Sequence, residues 1–579
     1  MSSAEPPSTS DSRSAYETGF VRVLTVALAG SLLFWAALPP LELSWLAWIA
    51  PVPWLVLVQW GSLTGRRPYV ALWLAYFAFW LLSLHWLRLP HPALYLGWLA
   101  LAAYLAIYLP LFVGITRVAV HRVRIPLWVA APVVWTGLEL ARAHLLTGFL
   151  MASFAHTQVG WTQLIQISDL FGEYGVDFVV MLVAACVASA FRISGIREIG
   201  NVTNPESARQ VRFHPLLLLP AVVALAATLY YGHVRLNEAN QVDAASNRTF
   251  RIALIQGNSL AEWKFDPDSE RKIMDEYVAL SEKAVAKARE DGRPIDLLVW
   301  PETMFRSALV SFDNAFQMPP GSPRTKEQIA AIGRDDMQNL ATRLGVVALL
   351  LGVDRFHFEA NDPSDATMPR PRRFNSVALF AGEYVQGAYD KNHRVMFGEY
   401  IPFASFLPFL YRITPLTGGI EAGEKAMVFD WNYNYFAPSI CYETVIPHVM
   451  RRQARATTHD GHAADVLINV TNDAWYRGSN ELDLHLACGI FRAVETRKPL
   501  MIAANGGISA WIDRTGRIRA ESPRQQPDVI LADVKLGAMS SPYVALGDWF
   551  AAVCLTACVL LAIIGILTRH KSSPPSPAP

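Results

Sequence analysis

Three side chains in this sequence could together perform nucleophilic acyl chemistry, and each sits at the end of a run that reads as a β-strand. Cys441 closes the aromatic-rich run in AMVFDWNYNYFAPSICYETVIP, where Trp431, Tyr433 and Tyr435 lead into a Cys-Tyr-Glu junction. A thiol at a strand end is held out for attack, and nearby backbone N–H groups can stabilise an oxyanion. Glu302 follows LLVWP. A carboxylate desolvated behind an apolar strand has a raised pKa, which suits a general base. Lys391 follows a turn in GAYDKNHRVMFGEYIP, where a fixed ammonium would stabilise developing negative charge. Taken singly, each has a plainer reading: a small buried core residue, a strand-end acid and a surface lysine. Taken together, they supply a nucleophile, a base and an oxyanion stabiliser.

The elements that must position these groups read as α/β. RIALIQGN (251–258), DLLVWPE (296–302) and VVALLLGV (346–353) are buried strands, and NSVALFA, MVFDWNYN, VLINVTND and LMIAANGGISAWID continue the series. Residues 271–289 place Ile273, Tyr277, Leu280, Ala284 and Val285 on one helix face, and 337–344 are also helical. Continuous apolar strands alternating with helices indicate a sheet covered by helices. Residues 361–373, polar and proline-containing, read as a surface loop, and Cys488, beside Ala487 and Phe491, reads as an inert buried thiol.

With 52% hydrophobic and only 17% charged residues, the chain is too apolar for an ordinary soluble protein. Eight apolar runs are long enough to cross a bilayer: 20–38, 43–60, 69–89, 93–115, 126–147, 174–191, 215–233 and 544–567. Lys and Arg cluster in alternate connections, at Arg66 and Arg67, at Arg117, Arg122 and Arg124, at Arg192, Arg197, Arg209 and Arg212, and at Arg569 and Lys571. The positive-inside rule then places both termini in the cytoplasm and the large polar region on the opposite face. The expected organisation is a disordered 1–18, a seven-helix membrane domain over 19–234, the α/β domain over 235–543, an eighth span over 544–568 and a cytoplasmic tail over 569–579. The stretch 150–172 is too polar to span; it is either part of the α/β domain's floor or a connector. A net charge of +1 implies no polyanionic partner, so no nucleic acid. The five cysteines form neither a disulfide framework nor a zinc spacing, so no metal is expected.

Glu in WPET, Lys in YDKNH and Cys in ICYE, in that order, resemble the Glu-Lys-Cys triad of the nitrilase, or carbon–nitrogen hydrolase, superfamily. QGN (256–258), FGEYIP (397–402), TNDAW (471–475) and RAVETRKP (492–499), with 139–142 and Gly148-Phe149, extend the likeness over nearly the whole chain. In this form it resembles the apolipoprotein N-acyltransferases. The resemblance implies an α-β-β-α sandwich carried by a multi-span helical domain in the bacterial inner membrane, with the sandwich on the periplasmic side. It implies acyl transfer without cofactor, from a phospholipid, typically phosphatidylethanolamine, through a thioester on Cys441 to the α-amine of a diacylated apolipoprotein. It makes Glu399 a further carboxylate of the site, gives Tyr442 and Glu443 a part in shaping the pocket, and lets Asn375 contribute.

The sequence also departs from the family pattern. A Lys-Trp pair after QGN is Lys264-Phe265 here, so either Phe265 or the adjacent Trp263 provides the aromatic contact. YRGSNELDLHLA lacks the usual Gly-Pro, and MIAANGG lacks an arginine. Residues 400–416, rich in Phe, Tyr, Leu and Pro, read as a lipid-contacting arm or as core, and Trp475 reads as lining an acyl path or as core. Two other functions fit parts of the sequence: a membrane-tethered amidase that uses water, and a non-catalytic scaffold that has kept the fold.

Overall fold

The computed structural model describes residues 9–60, 63, 66–193, 211–261, 266–360, 370–402 and 419–570. The chain divides into two units. One comprises Met1–His85, Leu96–Gly232 and Asp548–Pro579; the other comprises Trp86–Tyr95 and His233–Gly547.

The first unit is helical. Among the described residues, Gly19–Ala37, Leu94–Val123, Pro215–Ala245 and Trp549–Thr568 are long and apolar enough to cross a membrane. Helices Thr162–Phe171 and Tyr174–Ala190, bent by 117°, raise the count to five if they form one broken span. The other three expected spans form helices that fall short. Ser44–Gln59 is too short, and Arg67–Ser83 stops at 17 residues, where the chain turns toward the segment that joins the second unit. Leu127–His144 carries Glu139 and Arg142. These two buried side chains pair, and Arg142 donates to the carbonyls of Phe149 at 3.1 Å and Met151 at 2.8 Å. A charge inside an apolar helical unit is kept only with such partners. The stretch 150–172 folds into short helical turns, Ala155–Gln158, Thr162–Ile165 and Ser168–Phe171, and groups with the helical unit. A short antiparallel pair, β1 (Phe191–Ile193) and β2 (Val211–Phe213), also belongs to this unit.

The second unit is an α-β-β-α sandwich. Its first sheet is built from β3 (Thr249–Gln256), β4 (Leu297–Val299), β5 (Phe305–Phe312), β6 (Ala348–Phe358), β7 (Arg372–Ala381) and β8 (Tyr384–Asp390). Its second contains β9 (Phe429–Trp431), β10 (Asn434–Ile440), β11 (Val466–Asn472), β12 (Leu500–Asn505), β13 (Ala510–Ile512) and β14 (Ile518–Glu521). The last strand, β15 (Asp528–Lys535), returns to the first sheet, whose order is β15-β3-β4-β6-β7-β8 with β5 on β6. The second sheet runs β14-β13-β12-β11-β10-β9. The central strands β3, β4 and β6, and likewise β10, β11 and β12, are parallel and covered on both faces. That is why they read as unbroken apolar runs. The two sheets meet over Ile252, Leu254, Val299, Leu350, Ile440, Ile468 and Val470. Helices Pro267–Glu290 and Lys326–Leu344 cover the outer face of the first sheet.

The aromatic run read as one strand is in fact a hairpin. Asn432 (φ 51°) and Tyr433 (φ 61°) form a two-residue turn between β9 and β10. Two successive positive φ values match the twist of the flanking strands, so the chain reverses there. The strand that ends at Cys441 therefore begins only at Asn434.

Candidate active site

The carboxyl ends of parallel strands in an α/β layer form a crevice where ligands bind, and this sequence spends its polar residues there. Glu302 lies three residues beyond β4, Lys391 directly follows β8, and Cys441 directly follows β10. Cys441 has φ 49°, a left-handed conformation that a residue with a side chain rarely adopts. Such strain collects at reactive positions and is held there by the surrounding fold. On its far side a single 3-10 turn, Cys441–Val445, begins.

Glu302 and Lys391 are both buried, at 6% and 1% exposure, so neither charge is stable unless paired. Glu302 Oε1 accepts from Asn375 Nδ2 at 2.6 Å and from Lys391 Nζ at 3.4 Å. Its Oε2 accepts from the Asn472 backbone N–H at 3.0 Å. Lys391 Nζ also donates to Glu399 Oε1 at 2.7 Å, and Glu399 Oε2 accepts from the Val395 N–H at 2.7 Å. Burial pushes Glu302 above its usual 4.5, and Lys391 only partly offsets this. For Lys391, burial lowers the pKa, but Glu399 and Glu302 raise it further, so the amine stays charged. Burial and the nearby Glu302 charge hold the Cys441 thiol well above 9.0, despite Lys391. The resting group is therefore a thiol, and attack requires a base at the moment of reaction.

Glu443 is fully buried and is not among the residues lining the crevice. Its carboxylate accepts from Tyr389 Oη at 2.9 Å, from the N–H groups of Asn392 at 2.7 Å and His393 at 3.0 Å, and from the Ile440 N–H at 2.8 Å. One side chain thus ties the loop just after Lys391 to the strand end just before Cys441. Neither Tyr442 nor Glu443 lines the crevice; Glu443 braces the site from behind, through the loop after Lys391 and the strand end before Cys441.

A second brace holds Cys441 through its carbonyl, which accepts from Thr444 Oγ1 at 3.1 Å and Asn469 Nδ2 at 3.3 Å and lies 3.3 Å from His485 Nε2. His485 Nδ1 faces Asp473 at 3.3 Å. Burial lowers the His485 pKa, but Asp473 and Glu481 raise it more, to about 9, so the ring carries a proton on each nitrogen. Asp473, Glu481 and His485 have the composition of a metal site, with ligand atoms within 4.8 Å of one another. Both imidazole nitrogens are already committed, to Asp473 on one side and to Thr444 and Cys441 on the other.

The crevice has a volume of about 360 Å³. Glu302, Asn375, Lys391, Glu399 and Cys441 share it with Trp475 and Tyr476. The structure thus brings together six of the residues singled out in the sequence. Trp263 and Phe265 lie outside the described residues, as does the expected arm from 403 onward. Cys488 is buried, as expected.

Several residues of the site were not singled out. Leu87, Pro90 and Leu94 give the crevice an apolar side. They come from the segment 86–95, whose composition continues the apolar runs on either side of it. Gly352 lies in the middle of β6, and a Cβ there would come within 2.2 Å of the Pro301 carbonyl and 2.7 Å of Glu302 Cα. A glycine inside a buried strand marks such a close backbone approach. Gly352→Ala is expected to displace the Glu302 turn, costing about 1–3 kcal/mol of stability together with activity. Thermal unfolding and initial rates, measured on the same preparation, would check both effects.

The carbon-nitrogen hydrolase family model matches residues 251–541, which take in both sheets and nearly all of this crevice, so the second unit is a carbon–nitrogen hydrolase domain. A second model, the apolipoprotein N-acyltransferase N-terminal domain, matches residues 30–186, most of which belong to the helical unit. The apolipoprotein N-acyltransferase of Rhodopirellula baltica is 30% identical over 94% of this chain and 98% of its own. That of Geobacter metallireducens is 32% identical over 95% and 96%. The chain belongs to the apolipoprotein N-acyltransferase family, and is thus a multi-span membrane acyltransferase of the nitrilase superfamily. A solved Nesterenkonia amidase of that superfamily covers 52% of this chain and 95% of its own at 19% identity, with a TM-score of 0.33, too low a likeness to bear on the fold.

Proposed function

We propose that Cys441, Glu302 and Lys391 carry a two-step acyl transfer from a phospholipid to an apolipoprotein amine. Glu302 takes the Cys441 proton as sulfur attacks the carbonyl carbon of the donor ester, phosphatidylethanolamine at sn-1. Lys391 and the backbone N–H of Tyr442 stabilise the oxyanion. The C–O bond breaks, the leaving alkoxide recovers the proton from Glu302, and a lysophospholipid departs from a thioester. The α-amine of the diacylglyceryl-cysteine then attacks the thioester carbon and gives its proton to Glu302. The C–S bond breaks, the thiolate is reprotonated, and the product is an amide. No cofactor or metal enters either step. Glu399 and Asn375 hold the charges of the base and the ammonium in place, and Trp475 with Leu87, Pro90 and Leu94 offers an apolar wall to the acyl chain.

The observation that carries this reading is the shared crevice: a buried carboxylate and a buried ammonium, paired with each other at 3.4 Å, open onto the same 360 Å³ space as a strand-end thiol. The test is to incubate the purified full-length protein with labelled phosphatidylethanolamine and a diacylated lipopeptide. N-acylated peptide with stoichiometric lysophospholipid supports the reading. Free fatty acid without acylated peptide would show that water is the acceptor and would sink it.

We further propose that all eight apolar runs cross the bacterial inner membrane, with both termini cytoplasmic and the α/β unit periplasmic. The alternation of basic connections supports this orientation. Asp460 is highly exposed in the α/β unit. A cysteine placed there should react with a membrane-impermeant maleimide added outside intact spheroplasts; labelling only after lysis would reverse the orientation.

A further inference from the structure

The helical unit carries a groove of about 970 Å³ between helices Arg67–Ser83, Tyr108–Val118 and Trp549–His570. None of its lining residues lines the crevice around Cys441. Along most of its length the wall is apolar, with Val70, Trp73, Leu111 and Ile566 facing it. One end carries the guanidinium groups of Arg66, Arg117 and Arg122, with His121 beside them, and among the described residues no acidic side chain lines the groove.

Most of these basic groups are fixed in place. Arg117 Nη1 donates to the carbonyls of Leu57, Val58 and Trp60 at 3.2, 2.9 and 2.6 Å, at the end of helix Val52–Gln59, and His121 Nε2 lies 2.7 Å from the Val58 carbonyl. Arg122 donates to the Gly565 carbonyl at 3.1 Å and to Thr568. Carbonyl dipoles position a guanidinium without cancelling its charge, so the groove keeps a positive end. Arg66 is exposed beside it.

An apolar trough ending in fixed cations matches an amphiphile with an apolar tail and an anionic head. Basic pockets between membrane helices bind anionic headgroups on this principle. We propose that the groove holds an anionic phospholipid of the surrounding bilayer as a resident lipid rather than as an acyl donor. Its acyl chain lies along Trp73 and Leu111, and its phosphate lies against Arg66, Arg117 and Arg122. The proposal does not rest on the acyl-transfer reading.

Native mass spectrometry of the full-length protein tests it, after delipidation in a neutral detergent. The protein is titrated with phosphatidylglycerol or with phosphatidylcholine of the same chains. Phosphatidylglycerol adducts are expected to survive activation that strips phosphatidylcholine, at about tenfold higher occupancy. Arg66→Gln combined with Arg122→Gln should bring that occupancy down to the phosphatidylcholine level. Leu111→Trp, which fills the apolar wall and leaves every cation in place, should lower the occupancy of phosphatidylglycerol as well. Equal retention of the two lipids by the unaltered protein would overturn the proposal. So would a phosphatidylglycerol occupancy unchanged by Leu111→Trp, even if the double variant fails to elute as a folded protein.

Discussion

Cys441→Ala is expected to lower acyl transfer by a factor on the order of 10⁵ or more, the scale on which loss of a covalent nucleophile is measured. The substitution removes one half-buried sulfur from a position fixed by its neighbours rather than by the thiol itself. Glu443 still holds the Ile440 N–H, and Asn469 and Thr444 still hold the carbonyl of residue 441. The variant should therefore fold, bind donor phospholipid and release no lysophospholipid. Cys441→Ser should be nearly as inactive, because a serine hydroxyl in the same surroundings is a far weaker acid than a thiol. A variant that kept a tenth of the activity would remove sulfur from the mechanism.

Glu302→Gln is expected to cost about 10²–10⁴-fold in kcat/KM, the range for losing a positioned general base. Burial is the main reason the Glu302 pKa lies above 4.5, and Lys391 opposes it. The sign of the pH dependence follows. The reaction needs the carboxylate form, so activity should fall as pH drops through a value above that of an ordinary glutamate, and the Glu302→Gln variant should lack that acid limb. Stability moves the other way. A carboxyl whose folded pKa is raised contributes most below its unfolded pKa and loses that contribution as pH rises through its folded pKa. Above its folded pKa the ionised Glu302 is thus a cost, which glutamine removes. Against this, the glutamine amide sets a donor against the Asn472 N–H, which now donates to Oε2. The two effects oppose each other, so the melting midpoint should stay within about 2 °C, the equivalent of about 1 kcal/mol in a unit of this size. Initial rates across pH and a thermal melt of the same variant separate the catalytic effect from the structural one.

The strand-end positions of Glu302 and Cys441 were legible because central parallel strands, buried on both faces, are written as apolar runs with polar residues at their ends, whereas Lys391 follows β8, an edge strand paired antiparallel to β7, and was legible only from the turn before it. The helices of the α/β unit were legible from their apolar spacing, and helix Pro267–Glu290 starts earlier than expected because Asp266 caps its first turn. The supports were harder to see. Glu443 lies two residues from the thiol, and sequence distance suggests a pocket wall, whereas the 3-10 turn carries the carboxylate behind the strand to meet Tyr389 and the loop after Lys391. Gly352 acts through what a methyl group would strike, and pattern alone does not specify that neighbour. The segment 86–95 was absorbed into the flanking apolar runs because hydropathy does not distinguish a membrane helix from an apolar loop that lines a crevice. Ser44–Gln59 and Arg67–Ser83 show the same limit: an apolar run fixes a preference for burial but not the length of helix that satisfies it.

The central claim is that an acyl chain resides on Cys441 between donor and acceptor, and it is tested most directly by supplying phospholipid alone. Full-length protein incubated with phosphatidylethanolamine and no lipopeptide should gain the mass of one acyl chain on the peptide containing Cys441. Hydroxylamine should remove that mass, and a lipopeptide amine should discharge it at the rate of turnover. Turnover to N-acylated product with no adduct at Cys441, or with the adduct on another residue, would contradict the account.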